Sequence, residues 1–203
     1  IRDSLDYFHY TSNNTIFGTQ VKELPKTNVP IVCDMSSDIF SKKLDVSKYD
    51  LIYAGAQKNM GPAGTTLYIV KKDVLGASSV NIPTMLDLKT HSDKDSMFNT
   101  PPVFAVYTSM LTLRWLKKNG GINHIEAENN KKSKLIYSEI DRNSLFQGTA
   151  HFDDRSTMNA TFILKNEALK TEFDTSIAKA NINGLKGHLS LIHISEPTRL
   201  RRI

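Results

Sequence analysis

The hydrophobic pattern of the first seventy residues predicts three short strands. Apolar runs cover residues 29–33, 51–54 and 65–70, and the third run is rich in β-branched and aromatic residues. Runs that are apolar throughout, rather than alternating, are typical of strands covered on both faces in α/β sheets. The last two runs are separated by residues 55–64, a glycine-rich segment typical of turns. This pattern predicts an α/β fold.

Helical periodicity dominates the chain after residue 100. A helix is predicted to begin at Pro101–Pro102 and to end at Gly120–Gly121. Its large apolar side chains recur at helical spacing: Phe104, Tyr107, Leu111 and Trp115. We interpret this aromatic stripe as core packing. A second helix is predicted over residues 122–143, a strand over 158–164 and a third helix over 167–180.

The change from strands to helices predicts a domain boundary near residue 116. A length of 203 residues allows one large domain or two small ones. We therefore expect one domain over residues 1–115 and a second over residues 116–188. No apolar run approaches the roughly 20 residues of a membrane helix, and no metal site is expected. The single cysteine, Cys33, forms no internal disulfide and fits a reducing compartment, so we expect a cytoplasmic protein.

The net charge of +5 raises the question of a nucleic-acid partner. Residues 189–203 carry three arginines and one glutamate, and the other basic residues are scattered among acidic ones. The densest basic run, residues 131–134, lies on a predicted helix, and we interpret it as a solvated face. A non-catalytic nucleic-acid-binding module is kept as an alternative of a different class.

Lys58 is the first candidate for chemistry. It lies in the glycine-rich segment among small residues and between two apolar runs, where we expect partial shielding from water. Burial lowers the pKa of a lysine and makes its neutral, nucleophilic amine more available. The alternative is a solvated loop lysine. A phosphate-binding loop is excluded because residues 61–66 lack the required Gly-Lys-[Ser/Thr] ending.

Asp34 is the second candidate because it ends an apolar run, where α/β sheets place ligand-binding groups. The alternative is a helix N-cap for the segment that follows it. A lysine able to form a Schiff base and a carboxylate at a strand end are the two protein groups that pyridoxal phosphate needs. The lysine forms an imine with the aldehyde, and the carboxylate keeps the pyridine nitrogen protonated.

Five sequence blocks carry a family resemblance. They are Asp-Met-Ser-Ser-Asp at 34–38, Asp-Val-Ser-Lys-Tyr at 45–49, Ile-Tyr-Ala-Gly-Ala-Gln-Lys-Asn-Met-Gly-Pro-Ala-Gly at 52–64, Ser-Met-Phe-Asn-Thr-Pro-Pro at 96–102 and Trp-Leu-Lys-Lys-Asn-Gly-Gly at 115–121. Together these blocks closely resemble the phosphoserine aminotransferase family. The resemblance implies a fold-type I pyridoxal phosphate transferase: part of a large three-layer α/β/α domain over 1–115 and most of a smaller C-terminal α/β domain over 116–188.

The resemblance also implies roles for individual residues. Lys58 is matched to the Schiff-base lysine, Gln57 to a contact of the cofactor phosphate, and Asp34 to the partner of the pyridine nitrogen. Thr15, in Asn-Asn-Thr-Ile, is matched to a hydrogen bond on the hydroxyl side of the ring.

Three further residues are assigned by the resemblance. Asn99 and Thr100 are matched to contacts with the cofactor phosphate of the neighbouring subunit, so the resemblance implies a homodimer. Their alternative is an ordinary helix-capping turn. His188 is matched to a substrate contact, although the arginines that follow it in the family are absent here.

The implied reaction is a reversible transamination in serine biosynthesis. It converts phosphoserine and 2-oxoglutarate to 3-phosphooxypyruvate and glutamate. Many bacterial members also act on a phosphorylated threonine derivative in pyridoxine synthesis. The nearest alternative is another fold-type I enzyme, such as a desulfurase-like or serine–glyoxylate-type aminotransferase.

Two departures from the family pattern are expected to matter. The family has well over a hundred residues before the segment that begins here, and these include groups that bind cofactor and substrate. Residues 189–199 read Leu-Ser-Leu-Ile-His-Ile-Ser-Glu-Pro-Thr-Arg, which resembles a translated sequencing adapter. We therefore interpret residues 189–203 as an assembly artefact and this chain as an inactive fragment.

Overall fold

The computed structural model describes residues 1–182 and residue 185, which form two compact units. The first unit contains Ile1–Thr11, Pro25–Phe40 and Leu44–Asn119. The second contains Ser12–Leu24, Ser41–Lys43 and the described residues from Gly120 onward. A single boundary near residue 116 would place residues 12–24 and 41–43 in the first unit, but the structure places them in the second.

In the described residues the secondary structure runs as follows. The strands are β1 Phe8–Thr11, β2 Asn13–Asn14, β3 Thr19–Gln20, β4 Ile31–Asp34, β5 Leu51–Gly55, β6 Thr66–Val70, β7 Phe146–Gly148 and β8 Phe162–Leu164. The α-helices are α1 Leu88–Ser92, α2 Val103–Lys118, α3 Gly121–Arg142 and α4 Lys170–Lys179. Short 3-10 helices cover Val46–Lys48, Lys72–Val74, Thr84–Leu86, Phe152–Asp154 and Glu167–Leu169.

The first unit is built on a four-stranded sheet in the order β1-β4-β5-β6. Strands β1, β4 and β5 are parallel, and β6 runs antiparallel to β5. Alternate residues of β4 and β5 are buried, including Cys33, Ile52 and Ala54, whereas their neighbours are partly exposed. Among the described residues, one face of these strands is therefore fully covered and the other only partly, in contrast to the cover expected on both faces.

Helix α2 contradicts the prediction made for its aromatic stripe. Phe104 is 73% exposed and Trp115 is 39% exposed, so the described part of the chain does not pack these side chains in a core. The helix instead buries its small residues Ala105 and Ser109. The physical reason is close packing on the glycine-rich segment, which admits only small side chains: a Cβ added at Gly61 would lie 2.5 Å from the hydroxyl oxygen of Ser109.

The second unit packs α3 against the β7–β8 hairpin. Its core contains Tyr137, Ile140, Ala160 and Phe162, with Phe146 and Phe173 packed against them. Within the strand predicted over 158–164, only β8 is regular, and the backbone N–H groups of Met158 and Asn159 donate to the Ser156 hydroxyl instead of to a strand. The helix predicted over 167–180 is a 3-10 turn followed by α4.

A buried polar network explains why residues 12–24 belong to the second unit. The Asn13 side-chain amide donates to Asn159 Oδ1 at 2.9 Å, and the Ser156 hydroxyl donates to Asn13 Oδ1. The amide of Asn159 then donates to the backbone carbonyl of Thr15 at 2.8 Å. These bonds join positions more than 140 residues apart, which a continuous division of the sequence does not reveal.

Candidate functional site

Two neighbouring parallel strands end at one edge of the sheet with the candidate catalytic residues. Asp34 is the last residue of β4 and pairs in register with Tyr53 of β5. Strand β5 ends at Gly55, and Gln57 and Lys58 follow after Ala56. The structure therefore brings the predicted carboxylate and the predicted lysine segment to the same edge, where α/β folds bind ligands.

Ser36 connects these two strand ends. Asp34 Oδ1 accepts hydrogen bonds from the Ser36 backbone N–H at 2.8 Å and from the Ser36 hydroxyl at 2.6 Å. The same hydroxyl oxygen accepts the backbone N–H of Gly55 at 3.0 Å. Residues 36–40 form turns and not a helix, so the alternative role of Asp34 as a helix N-cap is wrong, and the carboxylate is held within this turn.

The glycine-rich segment forms a closed loop between β5 and β6. The N–H of Ala56 donates to the carbonyl of Thr65 at 3.0 Å, and the N–H of Gly61 donates back to the carbonyl of Ala56 at 2.8 Å. The Asn59 side-chain amide donates to the carbonyl of Ile39. The backbone that carries Lys58 is therefore held at several points.

The shielding of Lys58 expected from its small neighbours is not provided by the described residues. Gln57 and Lys58 are both exposed. The side chain of Gln57 lies over Gly55, where an added Cβ would come within 2.5 Å of its Oε1. The small residues around Lys58 serve instead to pack the loop against α2.

An aromatic pair beside Asp34 escaped the sequence analysis. Burial, and after it the carboxylate of Asp34 with its hydrogen bond, raises the pKa of the Tyr53 hydroxyl above its ordinary value. His9 Nε2 lies 3.0 Å from that hydroxyl, and the two rings are stacked with centroids 6.0 Å apart. Because His9, Asp34 and Tyr53 lie on three different strands, only the sheet register brings them together.

The remaining predicted site residues are placed separately. Asn99 and Thr100 are exposed in the segment before α2, and the Asn99 side-chain amide donates to the Thr100 carbonyl at 3.2 Å. Thr15 belongs to the second unit and is partly exposed. His188 and the segment 189–203 lie outside the described residues.

The groups at the sheet edge fit part of a pyridoxal phosphate site. A carboxylate held at a strand end suits the protonated ring nitrogen, an exposed amine suits the aldehyde, and a side-chain amide suits the phosphate. No group of three or more His, Cys, Asp or Glu residues within the described part of the chain is placed to hold a metal ion. No helix among the same residues has the length and apolar composition needed to cross a membrane.

Known proteins share the sequence of this chain over most of its length. The model of the family "Aminotransferase class-V" matches residues 1–196. The phosphoserine aminotransferase of Flavobacterium psychrophilum is 62% identical over 191 residues, covering 94% of this chain and 54% of that protein. The phosphoserine aminotransferase of Bacillus subtilis is 50% identical over 186 residues, covering 91% of this chain and 52% of that protein.

Solved structures give the same result. The phosphoserine aminotransferase of Bacillus circulans subsp. alkalophilus superposes with a TM-score of 0.90 at 41% identity, covering 96% of this chain and 55% of that one. The chain thus spans about half the length of the relatives it matches. The sequence match, the shared fold and the paired strand ends lead to one assignment: the chain belongs to the class-V aminotransferase family.

Proposed function

We propose that the whole protein is a pyridoxal phosphate-dependent phosphoserine aminotransferase. It converts O-phospho-L-serine and 2-oxoglutarate to 3-phosphooxypyruvate and L-glutamate, as a step of serine biosynthesis. The observation that carries this proposal is the placement of Asp34 and Lys58 at adjacent strand ends, joined through Ser36. The relatives named above, which are phosphoserine aminotransferases, supply the substrate class.

Each residue at the sheet edge has a distinct task in this proposal. When bound, pyridoxal phosphate supplies an electron sink for the carbanion formed at the substrate Cα. Lys58 would hold the cofactor covalently through its Nζ until the substrate amine takes over that bond. The freed Nζ would then accept the proton from the substrate Cα and later donate it again to complete the transfer. Asp34 holds a proton on the ring nitrogen, and Gln57 donates its amide N–H to the phosphate.

The proposal extends to residues placed away from this edge. Thr15 donates a hydrogen bond on the hydroxyl side of the ring, and His188 contacts the substrate. Asn99 and Thr100 bind the phosphate of the neighbouring subunit's cofactor in a homodimer. We also propose a cytoplasmic location, the two-domain division described in the sequence analysis, and a second activity on the phosphorylated threonine derivative of pyridoxine synthesis.

The test uses a completed protein, because this chain spans only about half of its relatives. In the completed protein, residues 1–188 replace the matching segment of the Flavobacterium psychrophilum relative. We expect glutamate formation from phosphoserine and 2-oxoglutarate, and an absorption band of the bound cofactor. Lys58→Ala is expected to abolish both, because it removes the covalent anchor and the proton-transfer group.

Lys48→Ala is the matched control, since Lys48 is an exposed lysine in the same unit that pairs only loosely with Asp45, at 4.0 Å. It is expected to leave turnover and absorption unchanged. Full activity in Lys58→Ala would contradict the proposal. A preference for serine and glyoxylate would favour the other aminotransferase. Salt-sensitive binding of nucleic acid without cofactor absorption would favour the non-catalytic alternative.

A further inference from the structure

We propose that Ser36 is a positioning residue that fixes the carboxylate of Asp34 relative to the chain segment that carries Lys58. This inference rests on the proposed function, because it concerns how the site holds its two main groups. Ser36 was not among the candidates that the sequence analysis selected. Its role follows from the hydrogen bonds at the ends of β4 and β5.

The direction of the hydrogen bonds at Ser36 is fixed by chemistry. A hydroxyl has one hydrogen to donate and two lone pairs to accept with. The backbone N–H of Gly55 can only donate, so the Ser36 oxygen accepts it, at 3.0 Å. The single hydroxyl hydrogen is then available to Asp34 Oδ1, at 2.6 Å. A bond of this length to a carboxylate oxygen is in the range of strong, charge-assisted hydrogen bonds.

Ser36 lies where the pairing of β4 and β5 ends, so its hydrogen bonds affect both strand ends. At the end of the parallel pair, the N–H of Met35 donates to the carbonyl of Tyr53 at 2.8 Å. Further along β5, the Ser36 hydroxyl oxygen accepts the hydrogen bond of the Gly55 backbone N–H. It therefore extends the pairing of β4 and β5 by a side-chain bond, three residues before Lys58. A shift of either strand end changes where the carboxylate lies relative to the lysine segment.

The chain contains a matched copy of the local motif without this connection. Ser47 follows Asp45 by two residues, as Ser36 follows Asp34. Asp45 Oδ1 accepts the Ser47 backbone N–H at 3.2 Å and the Ser47 hydroxyl at 2.6 Å. Both Asp45 and Ser47 are exposed, and within the described residues the Ser47 hydroxyl makes no bond to a neighbouring strand. A substitution at Ser47 therefore removes the same local turn bond as one at Ser36, but it leaves the hydrogen bond to β5 intact.

The experiment compares Ser36→Ala with Ser47→Ala in the completed protein. The probes are turnover of phosphoserine, the dissociation constant of pyridoxal phosphate, and the nitrogen-15 chemical shift of cofactor labelled at the ring nitrogen. For Ser36→Ala we expect kcat to fall about tenfold to a hundredfold, the range for loss of a hydrogen bond to a charged group. We expect a smaller change in KM, and a ring-nitrogen shift that moves toward the unprotonated value.

Ser47→Ala is expected to leave all of these readouts at the wild-type values. Ser36→Thr keeps the hydroxyl and is expected to restore kcat and the nitrogen shift to a large extent. Should Ser36→Ala fail to fold, Ser36→Cys provides the comparison, because a thiol is similar in size and a weaker donor and acceptor. It is then expected to lower kcat and to move the nitrogen shift.

The inference is overturned if folded Ser36→Ala, or Ser36→Cys where the alanine variant does not fold, behaves like Ser47→Ala in both turnover and nitrogen shift. That failure is distinguishable from failure of the proposed function. In the first case the unsubstituted completed protein binds the cofactor and transaminates phosphoserine. In the second case it does neither, whatever residue stands at position 36.

Discussion

The contact between the Lys58 loop and α2 makes a prediction about two residues that take no part in the chemistry. Ser109 is buried on α2, and its hydroxyl has no hydrogen-bond partner among the residues that the structure describes. Gly61 faces it, and a Cβ added there would lie 2.5 Å from the Ser109 hydroxyl oxygen and 3.2 Å from its Cα. The substitutions Gly61→Ala and Ser109→Ala should therefore interact.

The expected magnitudes follow from these contacts. Ser109→Ala removes a buried, unpartnered hydroxyl and should raise the free energy of unfolding by about 1 kcal/mol. Gly61→Ala overpacks the interface and should lower it by about 1–3 kcal/mol. With both substitutions the hydroxyl is gone and the nearest contacts are 3.2 and 3.3 Å, so the cost of the added methyl group should fall below about 1 kcal/mol.

The assay is urea unfolding of the completed protein and its three variants, followed by circular dichroism. The double-mutant cycle should give a coupling energy of about 1–2 kcal/mol in favour of the double variant. Gly61→Ala alone should also weaken cofactor binding, because the loop that carries Lys58 must move to accept the methyl group. Additive effects, with a coupling energy below about 0.5 kcal/mol, would show that the loop and α2 do not meet as described.

Three further predictions concern charge and completeness. Asp34→Asn should lower the rate of α-proton exchange, measured by NMR, more than it lowers cofactor attachment, measured by absorbance. An undiminished exchange rate would show that Asp34 does not hold the proton on the ring nitrogen. Asp141→Asn should destabilise the completed protein by about 1 kcal/mol, because the half-exposed Asp141 makes two hydrogen bonds of 2.7 Å to the mostly buried Arg155. A hydrogen bond from Arg155 lowers the pKa of Asp141, so this difference should persist at neutral pH. It should begin to shrink below about pH 4, where the carboxylate of the unfolded chain protonates, and vanish only below the lowered pKa of the folded state; a difference independent of pH would contradict this cause. Residues 1–188 expressed alone should be poorly soluble and inactive, because large apolar side chains of α2 are exposed; a soluble, active product would refute this.

The sequence predicts the strands and the placement of the main candidate residues near their ends, because both depend on local patterns. The apolar runs at β4, β5 and β6 appear as strands close to the predicted limits. Asp34 is a candidate because it ends such a run, and Lys58 because it lies in the glycine-rich segment between two runs. Parallel strands share an edge for their carboxyl ends, so their placement follows from the fold class.

The parts that the sequence analysis missed depend on contacts between distant residues. Strand β1 carries His9 and lacks a continuous apolar run, and only its pairing with β4 makes it a strand. Thr15 joins the second unit through the side chain of Asn159. The spacing of Ser36 from Asp34 is a signal for a local turn, but the bond from Gly55 is visible only in the sheet.

The aromatic stripe of α2 shows a different limit of sequence patterns. Helical spacing of Phe104, Tyr107, Leu111 and Trp115 identifies one face of the helix, and that face was assigned to the core. The structure shows that the small residues of α2 make the packed face, because Gly61 and Gly64 allow a close approach. Periodicity identifies an apolar face, but it does not say which part of the protein covers that face.

The covalent attachment of the cofactor tests the central claim most directly. The completed protein is incubated with pyridoxal phosphate, reduced with sodium borohydride, digested, and analysed by mass spectrometry. The account predicts a phosphopyridoxyl group on the peptide that contains Lys58, and none on peptides from Lys58→Ala, with Lys48→Ala labelled like the unsubstituted protein. Labelling of a different lysine, or no covalent label in a protein that transaminates phosphoserine, would contradict it.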